Sequence, residues 1–122
     1  MKKLLLAAAL LLPAPAMANT LDVITSTLNN GCTFATYLSI TKDFNESWGK
    51  AHGYSAQLML PVHSSNSSMI VWVGTTASAE TFGKAWDTWR TALANPNSVE
   101  AKLQARFAAC TTQVSRASYD TY

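Results

Sequence analysis

Residues 70–89 read IVWVGTTASAETFGKAWDTW, and this stretch predicts a strand, a short turn and a helix in direct succession. Side chains from Met69 to Thr75 are largely apolar on both alternating faces, as is typical of a central strand that is covered on both sides. Ser78 is a favourable helix N-cap, and Glu80 follows in the first turn, where the helix dipole stabilises an acidic side chain. Apolar residues then recur at helical spacing, at Phe82, Ala85, Trp86, Trp89 and Leu93.

The chain after this helix predicts one further helical piece and one strand. An Asn-Pro-Asn turn interrupts the helix, and Asn97 with Glu100 three residues later resembles a capping box. The next apolar residues again recur at helical spacing, at Val99, Leu103 and Phe107. Residues 111–119 (TTQVSRASY) are predicted to form the last strand.

The first part of the chain predicts a strand and a helix. Residues 21–28 (LDVITSTL) are rich in β-favouring side chains, and the Asn-Asn-Gly of residues 29–31 is a strong turn signal. Residues 33–52 are predicted to form a helix that Gly53 ends. Its apolar stripe consists of Phe34, Tyr37, Leu38, Thr41, Phe44 and Trp48.

A second strand is predicted over residues 54–62 (YSAQLMLPV), because its side chains alternate between two faces. One face carries Tyr54, Ala56, Leu58, Leu60 and Val62, and the other carries Ser55, Gln57, Met59 and Pro61. Pro61 has no backbone N–H to donate, which indicates an edge strand. Residues 63–68 (HSSNSS) are predicted to form a polar loop.

The predicted order of elements is therefore β-α-β-β-α-β, which indicates an α+β protein of the ferredoxin-like type. In that arrangement the four-stranded antiparallel sheet has the spatial order 4-1-3-2, and both helices cover one face. Residues 19–122 have the length of a single domain.

Residues 1–18 are predicted to be a cleavable signal peptide. Lys2 and Lys3 form a basic start, residues 4–12 contain only Leu and Ala, and Ala16-Met17-Ala18 has the small-residue pattern of a cleavage site. Nine apolar residues cover about 14 Å as a helix, less than the roughly 30 Å core of a bilayer, so we expect no membrane anchor after cleavage. The domain is expected to be periplasmic or secreted.

The charge of the chain excludes one class of partner. The formal net charge is +2, and Lys2 and Lys3 of the signal supply both charges, so the exported domain is close to neutral. No basic cluster remains in residues 19–122 to bind phosphate groups. We therefore expect no nucleic-acid partner.

Cys32 and Cys110 are the two cysteines of the chain, and an even count in an exported domain favours a disulfide. The predicted topology places the start of the first helix and the end of the second at the same edge of the sheet. Cys32 opens the first helix and Cys110 closes the second, so the topology brings them together. The alternative is two separate buried thiols.

These patterns resemble the dimeric α/β-barrel group of ferredoxin-like folds, which includes proteins similar to the antibiotic-biosynthesis monooxygenases. The resemblance covers most of residues 19–122, and residues 70–89 match best. Small exported proteins of this fold and of unassigned function are also similar, with a Pro ending the second strand and Trp-Val-Gly in the third. The resemblance implies a homodimer in which two protomers pack sheet against sheet.

Haem-degrading members of the group use an Asn on the first strand, a Trp, and a His on the second helix. Here the first strand has no Asn and the second helix has no His, and Trp72 alone matches. His52 and His63 flank the second strand and lie 11 residues apart, which is more than roughly 30 Å if extended. They cannot share a metal ion within one protomer, and no metal or cofactor site is predicted.

The third strand provides the candidate interface or pocket. If Met69, Val71 and Val73 face the helices, then Ile70 and Trp72 face away from them, together with Met59 of the neighbouring strand. Apolar surface that no element covers usually marks an interaction site. We expect this face either to pair two protomers or to hold an apolar small molecule, with His63, Gln57 and Tyr119 as further candidate residues.

Two functions remain open from the sequence. The first is a non-enzymatic homodimeric protein that binds a ligand or a partner. The alternative is a cofactor-independent monooxygenase or isomerase of the dimeric α/β-barrel type that acts on an apolar small molecule. A face that is tightly filled by Trp72, Ile70 and Met59 favours the first, and a hollow face with polar groups pointing inward favours the second.

The signal peptide leads to a prediction about processing. Protein purified from the native envelope should begin at Asn19, because signal peptidase cleaves after the small-residue motif that ends at Ala18. Intact-mass spectrometry measures this directly. A mass that includes residues 1–18 would contradict export.

Overall fold

A computed structural model describes residues 19–122, and the predicted signal peptide lies outside the described residues. The strands and helices are β1 (Thr20–Leu28), α1 (Phe34–Phe44), β2 (Tyr54–Met59), β3 (Ile70–Thr76), α2 (Ala79–Ala92), α3 (Val99–Cys110) and β4 (Thr111–Asp120). The second helix of the predicted order is thus in two pieces, α2 and α3. Within residues 19–122, no helix combines the length and the apolar content needed to cross a membrane.

The four strands form one antiparallel sheet in the order β4-β1-β3-β2, with the helices on one side. This is the ferredoxin-like fold, and the strand order is the 4-1-3-2 predicted from the sequence. Paired residues on neighbouring strands share a face, so the register determines which side chains lie beneath the helices. One row on the helix side consists of Arg116, Ile24, Trp72 and Leu58, and the next consists of Ser118, Asp22, Gly74 and Ala56.

The opposite side of the sheet, which we call the open face, has no helix over it among the described residues. Three rows of paired residues form it: Tyr119, Leu21, Thr75 and Ser55, then Ala117, Val23, Val73 and Gln57, then Ser115, Thr25, Val71 and Met59. Its central residues are apolar and none of those in the three rows is charged.

The first helical segment begins and ends where the sequence predicts. Thr33 caps α1 by accepting a hydrogen bond from the Thr36 N–H. The helix continues as a π-helical turn over Asn45–Gly49 and a 3₁₀ turn over Lys50–His52, and Gly53 ends it with a left-handed φ of 63°. The Asn45 side chain bonds both the N–H and the C=O of Ala56 in β2, which covers part of this edge strand.

The observed boundaries differ from the predicted ones at two places. The strand β2 ends at Met59 rather than Val62, because the segment around Pro61 leaves the sheet. The N-cap of α3 is Ser98, whose hydroxyl accepts from the Ala101 N–H, rather than Asn97. Ser78 caps α2 as predicted.

Trp72 lies at the centre of an aromatic core beneath the helices. Its side chain is 5% exposed. The ring lies 5.0 Å from Phe44 and 6.5 Å from Tyr37 of α1, and 5.3 Å from Phe107 of α3, measured between centroids. Tyr37 stacks on the Trp72 ring, and Phe44 and Phe107 meet it edge-on, which are arrangements that aromatic rings prefer.

The expectation that Ile70 and Trp72 face away from the helices is wrong. Both are buried on the helix side, and Val71 and Val73 lie on the open face instead. The strand is apolar on both faces, so its own pattern does not identify the inner one, and a choice that is wrong by one residue reverses every side chain. Met59 pairs with Val71 and therefore shares the open face with Val71 rather than with Trp72.

The predicted disulfide between Cys32 and Cys110 is present, with the two Cα atoms 5.1 Å apart. Asn29 strengthens the same corner, because its backbone N–H donates to Cys110 O at 2.9 Å and its side-chain amide donates to Ala108 O and Ala109 O. A cross-link across 78 residues contributes up to about 4–5 kcal/mol in the chain-entropy model. It joins the turn before α1 to the end of α3.

We predict that Trp72→Ala lowers the free energy of unfolding by about 3–5 kcal/mol, because it leaves a large cavity in the aromatic core. Trp72→Glu should unfold the domain rather than only separate protomers. Urea denaturation followed by circular dichroism measures both, with Val62→Ala as the control, since Val62 is 88% exposed in a loop. A cooperative, wild-type unfolding midpoint for Trp72→Ala would contradict this placement.

Candidate ligand-binding site

A cavity of about 650 Å³ lies between the helix side of the sheet and the helices α2 and α3. Aromatic side chains from all three helices and from the sheet form much of its wall, among them Tyr37, Trp72, Phe82, Trp86, Trp89 and Phe107. Phe82, Trp86 and Trp89 recur at helical spacing along α2, and this stripe of side chains therefore forms one side of the cavity. Its size and largely apolar wall are those of a site for a small organic molecule.

The polar part of the cavity is built around Asp22, near the start of β1. Its side chain is 1% exposed and forms a bidentate ion pair with Arg116 of β4. Arg116 Nε donates to Asp22 Oδ1 at 2.8 Å, and Nη2 donates to Oδ2 at 2.7 Å. A buried carboxylate is tolerated only when it is paired and hydrogen-bonded, and this geometry meets both conditions.

Tyr54 of β2 completes this network. Its hydroxyl donates to Asp22 Oδ2 at 2.7 Å and accepts from Trp72 Nε1 at 2.9 Å. The Tyr54 side chain crosses β3 over Gly74, where any Cβ would overlap the phenol ring. The glycine in the Trp-Val-Gly sequence therefore provides the space through which an edge strand reaches the carboxylate on the other side of β3.

The guanidinium of Arg116 also stacks on an aromatic ring. Its central carbon lies 4.1 Å from the centroid of Trp86 on α2, and the guanidinium carbon of Arg90 lies 5.8 Å from the same ring. Cation–π contacts of this kind stabilise a cation that is partly removed from water. Arg116 is therefore held on one edge by Asp22 and on one face by Trp86.

Burial raises the pKa of the two tyrosine hydroxyls of the cavity above its ordinary value. It raises the pKa of Tyr37 to about 12. The pKa of Tyr54 is raised even further, by burial first and then by the negative charge of Asp22. At neutral pH both hydroxyls are neutral, so they can donate or accept hydrogen bonds but cannot act as bases.

The structure separates the residues that the sequence singled out. Met59, Gln57 and Tyr119 lie exposed on the open face, and His63 lies in the exposed loop after β2. Ile70 and Trp72 lie beneath the helices, and Trp72 lines the cavity. The six candidate residues therefore do not form one site.

His52 has a structural position at the end of the first helical segment. Its Nδ1 lies 2.8 Å from the carbonyl oxygen of Trp48, and its ring stacks on the Trp48 indole at 4.3 Å between centroids. Among residues 19–122, no group of three or more His, Cys, Asp or Glu side chains could hold a metal ion.

Sequence reasoning missed Asp22, Tyr54 and Arg116. Asp22 and Arg116 are 94 residues apart, and their strands become neighbours only in the folded sheet. The sequence contains one signal. Asp22 is the single charged residue of an otherwise β-favouring segment, and its neighbours Leu21 and Val23 belong to the opposite face of the strand. That pattern was compatible with a solvent-facing acid, and the structure shows that the polar face of β1 is the covered one.

No protein-family model and no curated protein sequence matches the chain. Solved structures match the fold at low sequence identity. One is a conserved protein of unknown function from Bacteroides thetaiotaomicron, described as a possible oxidoreductase. It has a TM-score of 0.56 and 8% identity, over 87% of this chain and 100% of that chain.

Two further neighbours are enzymes. SnoaB, a cofactor-independent oxygenase from Streptomyces nogalater, has a TM-score of 0.53 and 15% identity, over 86% of this chain and 94% of its own. The hydroxynitrile lyase of Passiflora edulis has a TM-score of 0.55 and 12% identity, over 87% and 95%. These likenesses show a shared ferredoxin-like fold.

We predict that Tyr54→Phe destabilises the domain by about 2–4 kcal/mol, because it removes one hydrogen bond from the buried carboxylate and one from the Trp72 indole. Tyr119→Phe is the matched control, since Tyr119 is 54% exposed on the open face. Chemical denaturation of both variants measures the difference. Equal stability of the two variants would contradict the network at Asp22.

Proposed function

We propose that the protein is a homodimeric binding protein for an apolar small molecule, which it holds in the cavity between its helices and its sheet. The observation that carries the proposal is the cavity itself, whose aromatic wall surrounds a small polar network. Ligand sites commonly combine a largely apolar lining with a few convergent polar groups. The site proposed here lies on the helix side of the sheet, and the sequence had pointed to the open face.

The groups that line the cavity favour binding of a small molecule without a chemical reaction. Its carboxylate, Asp22, has both oxygens engaged by Arg116 and Tyr54. The two tyrosines keep their protons at neutral pH, and neither histidine lines the cavity. A group ready to accept a proton from a bound molecule is therefore lacking among the described residues at this site.

The alternative is a cofactor-independent monooxygenase or isomerase. The fold shared with SnoaB favours it, together with a cavity that could exclude water from an apolar substrate. Proton removal would then require Asp22 to leave Arg116 when the substrate binds. Oxygen consumption or product formation with a bound aromatic molecule would support this alternative over simple binding.

The proposed homodimer rests on the open face. Its middle row holds Val23 and Val73 on the two central strands, and Val71 and Leu21 flank them. Interface centres are depleted in charged residues, and the open face has that composition. A second protomer that packs sheet against sheet would remove these side chains from water.

The proposed location is outside the cytoplasm. The Cys32–Cys110 disulfide supports an oxidising compartment, since such bonds persist in the periplasm and in secreted proteins. It also joins α3, one wall of the cavity, to the turn between β1 and α1.

We predict that the neutral fluorescent probe N-phenylnaphthylamine binds the folded protein and that Ala108→Trp weakens its binding by about tenfold or more. Ala108 lines the cavity, so a large side chain there should occupy ligand volume. Ala109→Trp is the control, because Ala109 is also exposed on α3 but does not line the cavity. Fluorescence titration measures both, and equal affinities for the two variants would contradict the proposed site.

We also predict that Val73→Glu converts the dimer to monomers, because two unpaired carboxylates would be buried near the centre of the interface. Ser39→Glu, on the exposed surface of α1, should leave the dimer intact. Sedimentation equilibrium at tens of micromolar distinguishes the two states. A wild-type protein that sediments as a monomer under these conditions would rule out the dimer.

A further inference from the structure

We propose that the cavity selects planar aromatic molecules that carry an anionic group, and that Arg116 contacts this group. The inference rests on the proposed function and specifies the ligand class of the same site. It comes from the charges and hydrogen-bond donors that line the cavity.

Arg116 has donors to spare. A guanidinium carries five N–H groups, and within the described chain the hydrogen bonds of Arg116 are the two to Asp22. Three N–H groups, including both on Nη1, therefore remain for another acceptor. The side chain lines the cavity and is 28% exposed, so a ligand that enters the cavity can reach it.

Two guanidinium groups line the cavity, and both are ion-paired. Asp22 and Arg116 neutralise each other, and Arg90 adds a second guanidinium to the lining. The partner of Arg90 is Asp87, at 2.6 Å, which is 72% exposed and does not line the cavity. This ion pair neutralises Arg90 as well, so the preference for an anion rests on the free N–H donors of Arg116 beside the aromatic wall, with the Arg90 guanidinium as a second donor group of the lining.

The aromatic wall determines the body of the ligand. Trp86 already stacks with the guanidinium of Arg116, so an anion that binds Arg116 lies next to the edge of an aromatic surface. Trp72, Trp89 and Phe107 continue this surface into the cavity. A planar ring system with an acidic substituent at one end matches both parts, because rings gain additional stabilisation from aromatic neighbours.

Asp22 acts as a positioning residue in this arrangement. It holds two N–H groups of Arg116 and thereby orients the remaining three, without contacting the ligand through a free oxygen. Without Asp22, the Arg116 side chain would populate many rotamers. The entropy lost when a ligand ordered this side chain would then weaken ligand binding.

Two fluorescent probes test the proposal, because they share one ring skeleton and differ by an acidic group. Anilinonaphthalene sulfonate carries a sulfonate, and N-phenylnaphthylamine lacks it. We expect the wild-type protein to bind the sulfonate at least about tenfold more tightly, as a hydrogen-bonded ion pair predicts. Near-UV circular dichroism verifies that each protein sample is folded.

Three variants identify the residues responsible. Arg116→Lys keeps the charge but loses the bidentate geometry, and Arg90→Gln removes an exposed charge from the cavity without touching the buried network. Each should weaken binding of the sulfonate by about threefold to tenfold more than it weakens binding of the neutral probe. Lys84→Gln is the matched control on α2, since Lys84 is exposed and does not line the cavity. It should change neither affinity.

The outcomes separate this inference from the proposed function. Equal affinity of the wild type for the two probes would overturn the anion preference, as would variants at Arg90 and Arg116 that weaken both probes alike. Binding of the neutral probe alone would leave a ligand cavity without anion selectivity. Failure of the folded protein to bind either probe would refute both proposals.

Discussion

The buried carboxylate of Asp22 is the constraint on which much of the structure depends. A charge that is removed from water needs a partner and satisfied hydrogen bonds. Here Arg116 comes from one edge strand and Tyr54 from the other, so a single carboxylate connects both edges of the sheet to its centre. Gly74 has no side chain, and this absence allows Tyr54 to cross the intervening strand. Register errors in any of the four strands would break the network.

The same network shapes the cavity. The side chains of Asp22 and Arg116 occupy the helix side of the sheet, where an apolar protein core would otherwise continue. Aromatic residues of α2 and α3 line the space without filling it, and the disulfide with Asn29 holds the end of α3 against β1. Empty volume and buried charge both reduce stability, and natural proteins retain such features mainly at functional sites.

The structural neighbours illustrate how little a fold says about chemistry. The same arrangement of strands and helices occurs in an oxygenase and in a hydroxynitrile lyase. Function depends on the side chains that individual members place in the site. In this chain those side chains form an ion pair, two neutral hydroxyls and an aromatic wall.

The sequence by itself determined the order of the elements, the cap at Ser78, the stop at Gly53 and the strand order. It also predicted the Cys32–Cys110 pair, because local periodicity and chain topology govern all of these features. Only the tertiary structure decided which face of β3 lies under the helices, since both faces are apolar and a shift of one residue inverts them. It alone joined Asp22 to Arg116 and formed the cavity, because contacts between distant segments depend on register and packing rather than on local pattern.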